Sequence, residues 1–160
     1  FNHIRYGLYF RELVEPAAQL NGFDSLFLFS VMRQESLFEG FVRSTAGARG
    51  LMQIVPETGA DVAARMGWPL SFEPDMLYRL IVSVKLGTYY LASNRIYLNG
   101  DLYGALAAYN AGPGNALAWQ ELAGDDPDLF LEIVRPAETR DYIRGIYEIY
   151  NIYRTLYSPL

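Results

Sequence analysis

The residues of this 160-residue chain best suited to chemistry fall into three groups. Glu35-Ser36 closes an apolar run, Gly47 and Gly50 lead into Met52-Gln53, and Ala108-Tyr109-Asn110-Ala111-Gly112-Pro113-Gly114 ends an alanine-rich segment. A carboxyl at the end of an apolar helix, an amide behind a glycine-rich turn and a phenol at a helix terminus together suggest a sugar-cleaving site. The carboxyl would move the proton, and the amide and hydroxyl would orient ring substituents. On a helix, Leu28, Val31 and Met32 share the face of Glu35. Desolvation there disfavours the charged carboxylate and raises its pKa. A rise from about 4.3 to about 6 corresponds to roughly 2.3 kcal/mol and leaves a usable protonated fraction near neutrality, as protonating a glycosidic oxygen requires. A lone glutamate at a helix end is more often a solvated side chain, and most of the thirteen tyrosines must serve packing. The weight therefore lies in the three groups occurring together.

Other chemistries are poorly served. The chain has no cysteine and a single histidine, His3, which argues against thiol nucleophiles, cysteine zinc sites and a Ser-His-Asp triad. Ser36 has no base spaced to activate it and reads as a support for its loop. Neither a metal nor a cofactor is implied. A net charge of −5 gives a nucleic acid no long-range attraction, so no nucleic-acid partner is expected. Arginine makes up nearly all of the basic residues and suits local, bidentate recognition of anionic groups. No apolar run approaches the roughly twenty residues of a membrane span.

The elements that must position these groups read as helices, because period-two alternation between turn residues is almost missing. A first helical pattern runs from Ile4 to Leu20, with an interruption expected near Pro16. Asp24 caps a helix through about Phe38, apolar on nearly every side and therefore a core element. Pro56 and Glu57 open a short helix that ends before Gly67. A helical stripe runs from Leu77 through Leu98, followed by the stop and cap Asn99-Gly100-Asp101. Leu102 to Asn110 forms a helix halted by Gly112-Pro113-Gly114. A short helix is expected from Asn115 to Leu122, then a polar loop around Asp125-Asp126-Pro127, then a long helix from Glu138 to about Tyr157. This length supports one core, expected as a leading helical segment, residues 1–21, packed on a domain of residues 22–160. A start at Phe1, without a signal-peptide pattern, is expected of a domain excised from a longer chain.

The spaced motifs resemble those of the soluble lytic transglycosylase family, goose-type-lysozyme-like enzymes that cleave peptidoglycan. The matching residues are Glu35-Ser36, Phe38, the run from Ser44 to Gln53, Ala108 to Gly114, and Glu138-Thr139-Arg140-Asp141-Tyr142. The resemblance implies a mainly α fold, a single lysozyme-like helical domain with a substrate groove at Glu35, the 47–53 stretch, Tyr109 and Glu138. It implies Glu35 as the catalytic acid and base, with Ser44, Met52, Gln53, Tyr109, Asn110, Glu138, Arg140 and Tyr142 binding the substrate. Read by themselves, Asn110 shapes a helix end, and Glu138 is favoured in a first helical turn by the helix dipole. The implied substrate is the glycan strand of peptidoglycan, cut between N-acetylmuramic acid and N-acetylglucosamine with formation of a 1,6-anhydro end. The implied location is extracytoplasmic, in the periplasm or cell envelope, with further domains of a longer chain. Two alternatives stand beside this: a lysozyme-type hydrolase giving hydrated ends, for which Glu39 is the local second carboxylate, and a catalytically silent glycan-binding domain. Gly40, Val42 and Arg135-Pro136 depart from the family pattern and are expected to alter loops and subsites, not the chemistry.

Overall fold

The structure, a computed structural model, describes residues 2–124 and 126–158. The side chain of His3 and all of Asp125, part of the expected polar loop, lie outside the described residues. Among the described residues the regular structure is helical, and the β features are isolated bridges from Arg49 to Arg43 and to Ile54. The chain divides into two compact units, one of residues 1–89 with 149–160 and one of residues 90–148.

The first unit contains α1 (Asn2–Arg5), α2 (Arg11–Leu20), α3 (Ser25–Ser36), α4 (Pro56–Met66), the start of α5 (Leu80–Tyr97) and the last turns of α9 (Ala137–Tyr157). Its central element is α3. The Asp24 carboxylate accepts the Leu26 N–H at 2.7 Å, satisfying one of the first-turn donors that an isolated helix leaves open. Phe27 through Met32 are then all buried, as a helix apolar on every side must be. Burying each large apolar side chain contributes about 1.5–3 kcal/mol. That exceeds the few tenths by which Phe and Val trail better helix formers, so packing decides the conformation. The same Asp24 carboxylate accepts the Tyr150 hydroxyl of α9 at 2.8 Å. Burial first, then this hydrogen bond, push the Tyr150 phenol up from its ordinary value. Tyr153, fully buried, packs 6.1 Å from the Phe29 ring and donates to the Gly7 carbonyl at 3.2 Å. Burial holds its phenol well above the usual range.

Three expected boundaries differ. Helix α2 runs through Pro16, and the break falls earlier, where Phe10 adopts a left-handed conformation with φ 57°. The hydrogen bond that Pro16 forgoes is to Glu12, one turn earlier, and both residues are exposed, which leaves that carbonyl on the solvent side of the helix. Helix α3 stops at Ser36, short of Phe38, because Leu37 and Phe38 both take positive φ. Helix α4 begins on Pro56 and ends on Gly67 at φ 64°, as the Pro and Gly signals indicated. Helix α5 starts at Leu80, not at Leu77 where the apolar stripe begins, because Leu77 and Tyr78 close a 3-10 turn, Pro74–Tyr78.

The second unit holds the rest of α5, then α6 (Leu102–Ala111), α7 (Pro113–Ala123), α8 (Pro127–Ile133) and the start of α9. Small residues make α6 its centre: Gly104, Ala105, Ala107 and Ala108 are buried with Leu106. Asp101 accepts the Tyr103 N–H at 2.9 Å, and Gln120 of α7 donates to the Leu98 carbonyl at 3.0 Å and to Asp101 at 3.3 Å. Tyr103 stacks on Tyr147 with ring centroids 4.9 Å apart. Helix α8 was not expected from the sequence. Its signal was nonetheless local: Asp126 accepts the Asp128 and Leu129 N–H groups and Pro127 supplies the first helical residue, with Phe130 as the buried anchor.

Candidate active site

Glu35 is the penultimate residue of α3 and is half-buried. Leu28, Val31 and Met32, the residues of its own face, are fully buried. The helix stops one residue later through a turn built by Ser36. Its Oγ donates to the Met32 carbonyl at 3.3 Å and accepts the Phe38 N–H at 3.1 Å, while its carbonyl accepts the Glu39 N–H at 2.9 Å. The hydroxyl is committed to the loop, the structural part that its missing base indicated. Leu37 at φ 52° and Phe38 at φ 67° are consecutive left-handed residues with side chains, each costing about 1–2 kcal/mol. Packing of the buried Phe38 ring, 5.2 Å from Tyr9 and 6.4 Å from Phe29, offsets this. Glu39 is exposed and lies beyond the helix, so it does not share a helical face with Glu35.

The segment from Val42 to Ile54 belongs to the same unit. Ser44 and Ala48 exchange two hydrogen bonds, one N–H to carbonyl at 3.0 Å and one from the Ala48 N–H to the Ser44 Oγ at 3.1 Å. Gly47 turns this loop at φ 84°. Gly50, at φ 75°, is required for a second reason: a Cβ there would lie 2.0 Å from the Leu77 carbonyl oxygen. The Val42 carbonyl receives the Gly50 N–H at 3.1 Å and the Gln53 side-chain amide at 3.2 Å, and that amide also donates to the Gly50 carbonyl at 2.8 Å. The Gln53 nitrogen is thereby directed inward, and its carbonyl oxygen is the atom suited to accept from a sugar hydroxyl. Met52 is fully buried and its N–H donates to Ser83 Oγ at 3.0 Å, which anchors the loop. Leu37, Phe38 and Gln53 are three of the five non-glycine residues with positive φ among the described residues. Backbone strain is thus concentrated at the two turns that carry Glu35 and Gln53, as is common at functional sites.

The other motifs lie in the second unit. Tyr109 is half-buried in the last turn of α6, its ring 5.3 Å from that of Tyr90. Asn110 is exposed and its Oδ1 accepts the hydroxyl of the buried Thr139 at 2.8 Å. That bond ties the Ala-Tyr-Asn motif to the Glu-Thr-Arg motif 29 residues on. Gly112, at φ 90°, both ends α6 and caps α7. Arg140 directs one guanidinium nitrogen to the carbonyls of Val134 and Arg135, at 2.6 and 2.9 Å, clamping the connection between α8 and α9. Glu138 is exposed in the first turn of α9, where the dipole favours an anion. Tyr142 is buried. The sequence reading did not single out Thr139, Ser83 or Arg49, whose guanidinium is 2.6 Å from Asp75. Thr139 and Arg49 lie inside recognised motifs, whereas Ser83 carries no local signal. Among the described residues no set of His, Cys, Asp and Glu side chains is placed to hold a metal ion, and no helix is long and apolar enough to cross a membrane.

Comparison with known proteins shows the family to which the chain is similar. The family model of the transglycosylase SLT domain matches residues 12–129. The soluble lytic murein transglycosylase of Salmonella typhimurium is 30% identical over 151 residues, covering 89% of this chain and 22% of that protein. The solved structure of the lytic transglycosylase Slt of Pseudomonas aeruginosa, an inactive glutamate-to-glutamine mutant, is 32% identical with a TM-score of 0.86 over 99% of this chain and 26% of that one. The 70 kDa soluble lytic transglycosylase of Escherichia coli superposes with a TM-score of 0.91 at 27% identity, covering 98% of this chain and 26% of that one. The chain thus spans about a quarter of the length of these relatives.

Proposed function

This chain belongs to the transglycosylase SLT family, and from that premise we propose that it cleaves the β-1,4 bond between N-acetylmuramic acid and N-acetylglucosamine in peptidoglycan, leaving a 1,6-anhydromuramic end. The observation that carries the reading is the setting of Glu35: a half-buried carboxyl at the end of an apolar helix, just before a strained turn that leads into the loop of Gln53. A glutamate-to-glutamine change inactivates the related Pseudomonas aeruginosa enzyme, which supports a glutamate as the acid.

In this mechanism Glu35 gives its proton to the bridging oxygen, and the C1–O bond breaks as N-acetylglucosamine leaves with a free C4 hydroxyl. The substrate's own N-acetyl group stabilises the developing cation, as in substrate-assisted glycosidases. The C6 hydroxyl of the muramic residue then attacks C1, closing the ring, and returns its proton to the Glu35 carboxylate. No water is consumed, and Glu35 ends protonated as it began. One carboxylate serves as acid and then base, a reading supported by Glu39 lying outside the helix and in solvent. In this reading Ser44, Gln53, Tyr109, Asn110 and Glu138 bind the strand, while Met52, Arg140 and Tyr142, which the resemblance also assigns to the substrate, support their own segments. Residues 1–21 support the domain of residues 22–160. A cell-wall substrate places the enzyme outside the cytoplasm, and the longer relatives support further domains beside this one.

The test is digestion of purified peptidoglycan followed by mass spectrometry. Released fragments are expected one water lighter than hydrolytic products, and Glu35→Gln is expected to keep the helical circular dichroism and lose cleavage. Fragments with only hydrated ends would make the protein a hydrolase. Binding without cleavage by the unaltered protein would make it a glycan-binding domain.

A further inference from the structure

Phe41 is 84% exposed, six residues after Glu35. An aromatic of its size ordinarily buries about 150–250 Å². Its ring lies 6.1 Å from that of Tyr78 with an interplanar angle of 23°, within the range of stacked aromatic pairs. The loop reaches this position because Gly40 passes so close to α5 that a Cβ there would lie 2.8 Å from Leu80 Cδ2. Tyr78 is supported in turn. The Arg49 guanidinium lies 5.8 Å from its ring centre and is held by Asp75 at 2.6 Å, so the charge near the rings is balanced.

The pair is also fastened to both candidate motifs of its unit. On one side, the Val42 carbonyl, next in the chain after Phe41, accepts from the Gly50 N–H and the Gln53 amide. On the other, the Glu39 N–H donates to the carbonyl of Ser36, the neighbour of Glu35. Isolated exposed apolar residues are ordinary on protein surfaces. Here the exposed ring is paired and braced, and the backbone on either side of it is joined by hydrogen bonds to the turns of the proposed acid and the proposed sugar-binding amide.

We propose that Phe41 and Tyr78 form a pyranose-stacking subsite for the glycan strand, an inference that rests on the function proposed above. A pyranose presents one face of axial C–H groups, apolar and slightly positive, which complements the negative face of an aromatic ring. The occupant is a neutral N-acetylhexosamine ring of the strand. Such contact, made equally with the ground state and the transition state, lowers KM without raising kcat.

The test compares Phe41→Ala, Phe41→Leu and Phe41→Tyr on purified peptidoglycan glycan strands. Ala and Leu are expected to raise KM roughly three- to tenfold with kcat unchanged, while Tyr keeps the original KM. Melting temperatures should match, because the ring contributes little burial. An unchanged KM in the Ala variant overturns the subsite, and so does full rescue by Leu, which would show apolar bulk and not ring stacking at work. If the unaltered protein releases no fragments, the proposed function fails instead. Co-sedimentation with insoluble peptidoglycan then reads the subsite alone, and equal retention of the Phe41→Ala and unaltered proteins overturns it.

Discussion

Gly50→Ala and Gly47→Ala form a matched pair of perturbations, because both glycines have positive φ, 75° and 84°, but only one is crowded. A Cβ at Gly50 would lie 2.0 Å from the Leu77 carbonyl oxygen, whereas one at Gly47 would meet nothing within 4 Å. A carbon and a carbonyl oxygen rest about 3.3 Å apart, so the Gly50 loop must retreat by about 1 Å or more. The hydrogen bonds it would strain are those from Gly50 N–H to the Val42 carbonyl at 3.1 Å and from Met52 N–H to Ser83 at 3.0 Å. Two such bonds at about 1 kcal/mol each, with about 1 kcal/mol for alanine in the left-handed region, give a loss of about 3 kcal/mol. For a chain of this size that lowers Tm by about 6–12 °C, against about 2–4 °C for Gly47→Ala. Thermal unfolding followed by far-ultraviolet circular dichroism measures both. Because the Gln53 amide is anchored on the Gly50 and Val42 carbonyls, Gly50→Ala should also lower kcat/KM at temperatures where it is fully folded, while Gly47→Ala stays near the unaltered value. Equal, small losses in the two variants would refute the reasoning, since they would mean that the approach to Leu77 does not fix the residue at position 50.

Tyr153→Phe should cost about 1 kcal/mol at neutral pH through loss of the bond to Gly7. The folded Tyr153 phenol is raised by burial, so the folded state holds its proton while the unfolded chain begins to release it near pH 10. This contribution is therefore complete below pH 10 and is lost as pH rises above it. Denaturant midpoints should fall more steeply above pH 10 for the unaltered protein than for the variant, and parallel curves would contradict the assignment. Asn110→Ala, Thr139→Val and the double variant should give a coupling of about 0.5–1.5 kcal/mol in stability, whereas additive effects would show that the 2.8 Å bond joins nothing energetically.

Much of the helical frame was legible from residues within one turn of each other. Asp24 and Asp101 announced their helices as capping carboxylates, Pro56 and Gly67 bracketed α4, and Gly112 marked the change from α6 to α7. Pro16 misled because its cost depends on whether the carbonyl it leaves open reaches water, which is a matter of exposure. Helix α8 was missed although Asp126-Pro127-Asp128 carries a cap and a helix-starting proline, because the polar cluster also reads as a loop.

The sequence by itself determined the order and ends of most helices, the apolar character of α3 behind Glu35, and the spacing of the motifs that resemble those of the transglycosylase SLT family. Those properties are set by side chains three or four positions apart. Only the tertiary structure decided what each motif side chain has left to offer. The Gln53 amide turns inward to a carbonyl eleven residues away, Met52 is anchored by Ser83 thirty-one residues on, and Asn110 is joined to Thr139 across twenty-nine. A polar side chain has a fixed number of donors and acceptors, and which of them remain for a ligand depends on partners that are distant along the chain and adjacent only once it has folded.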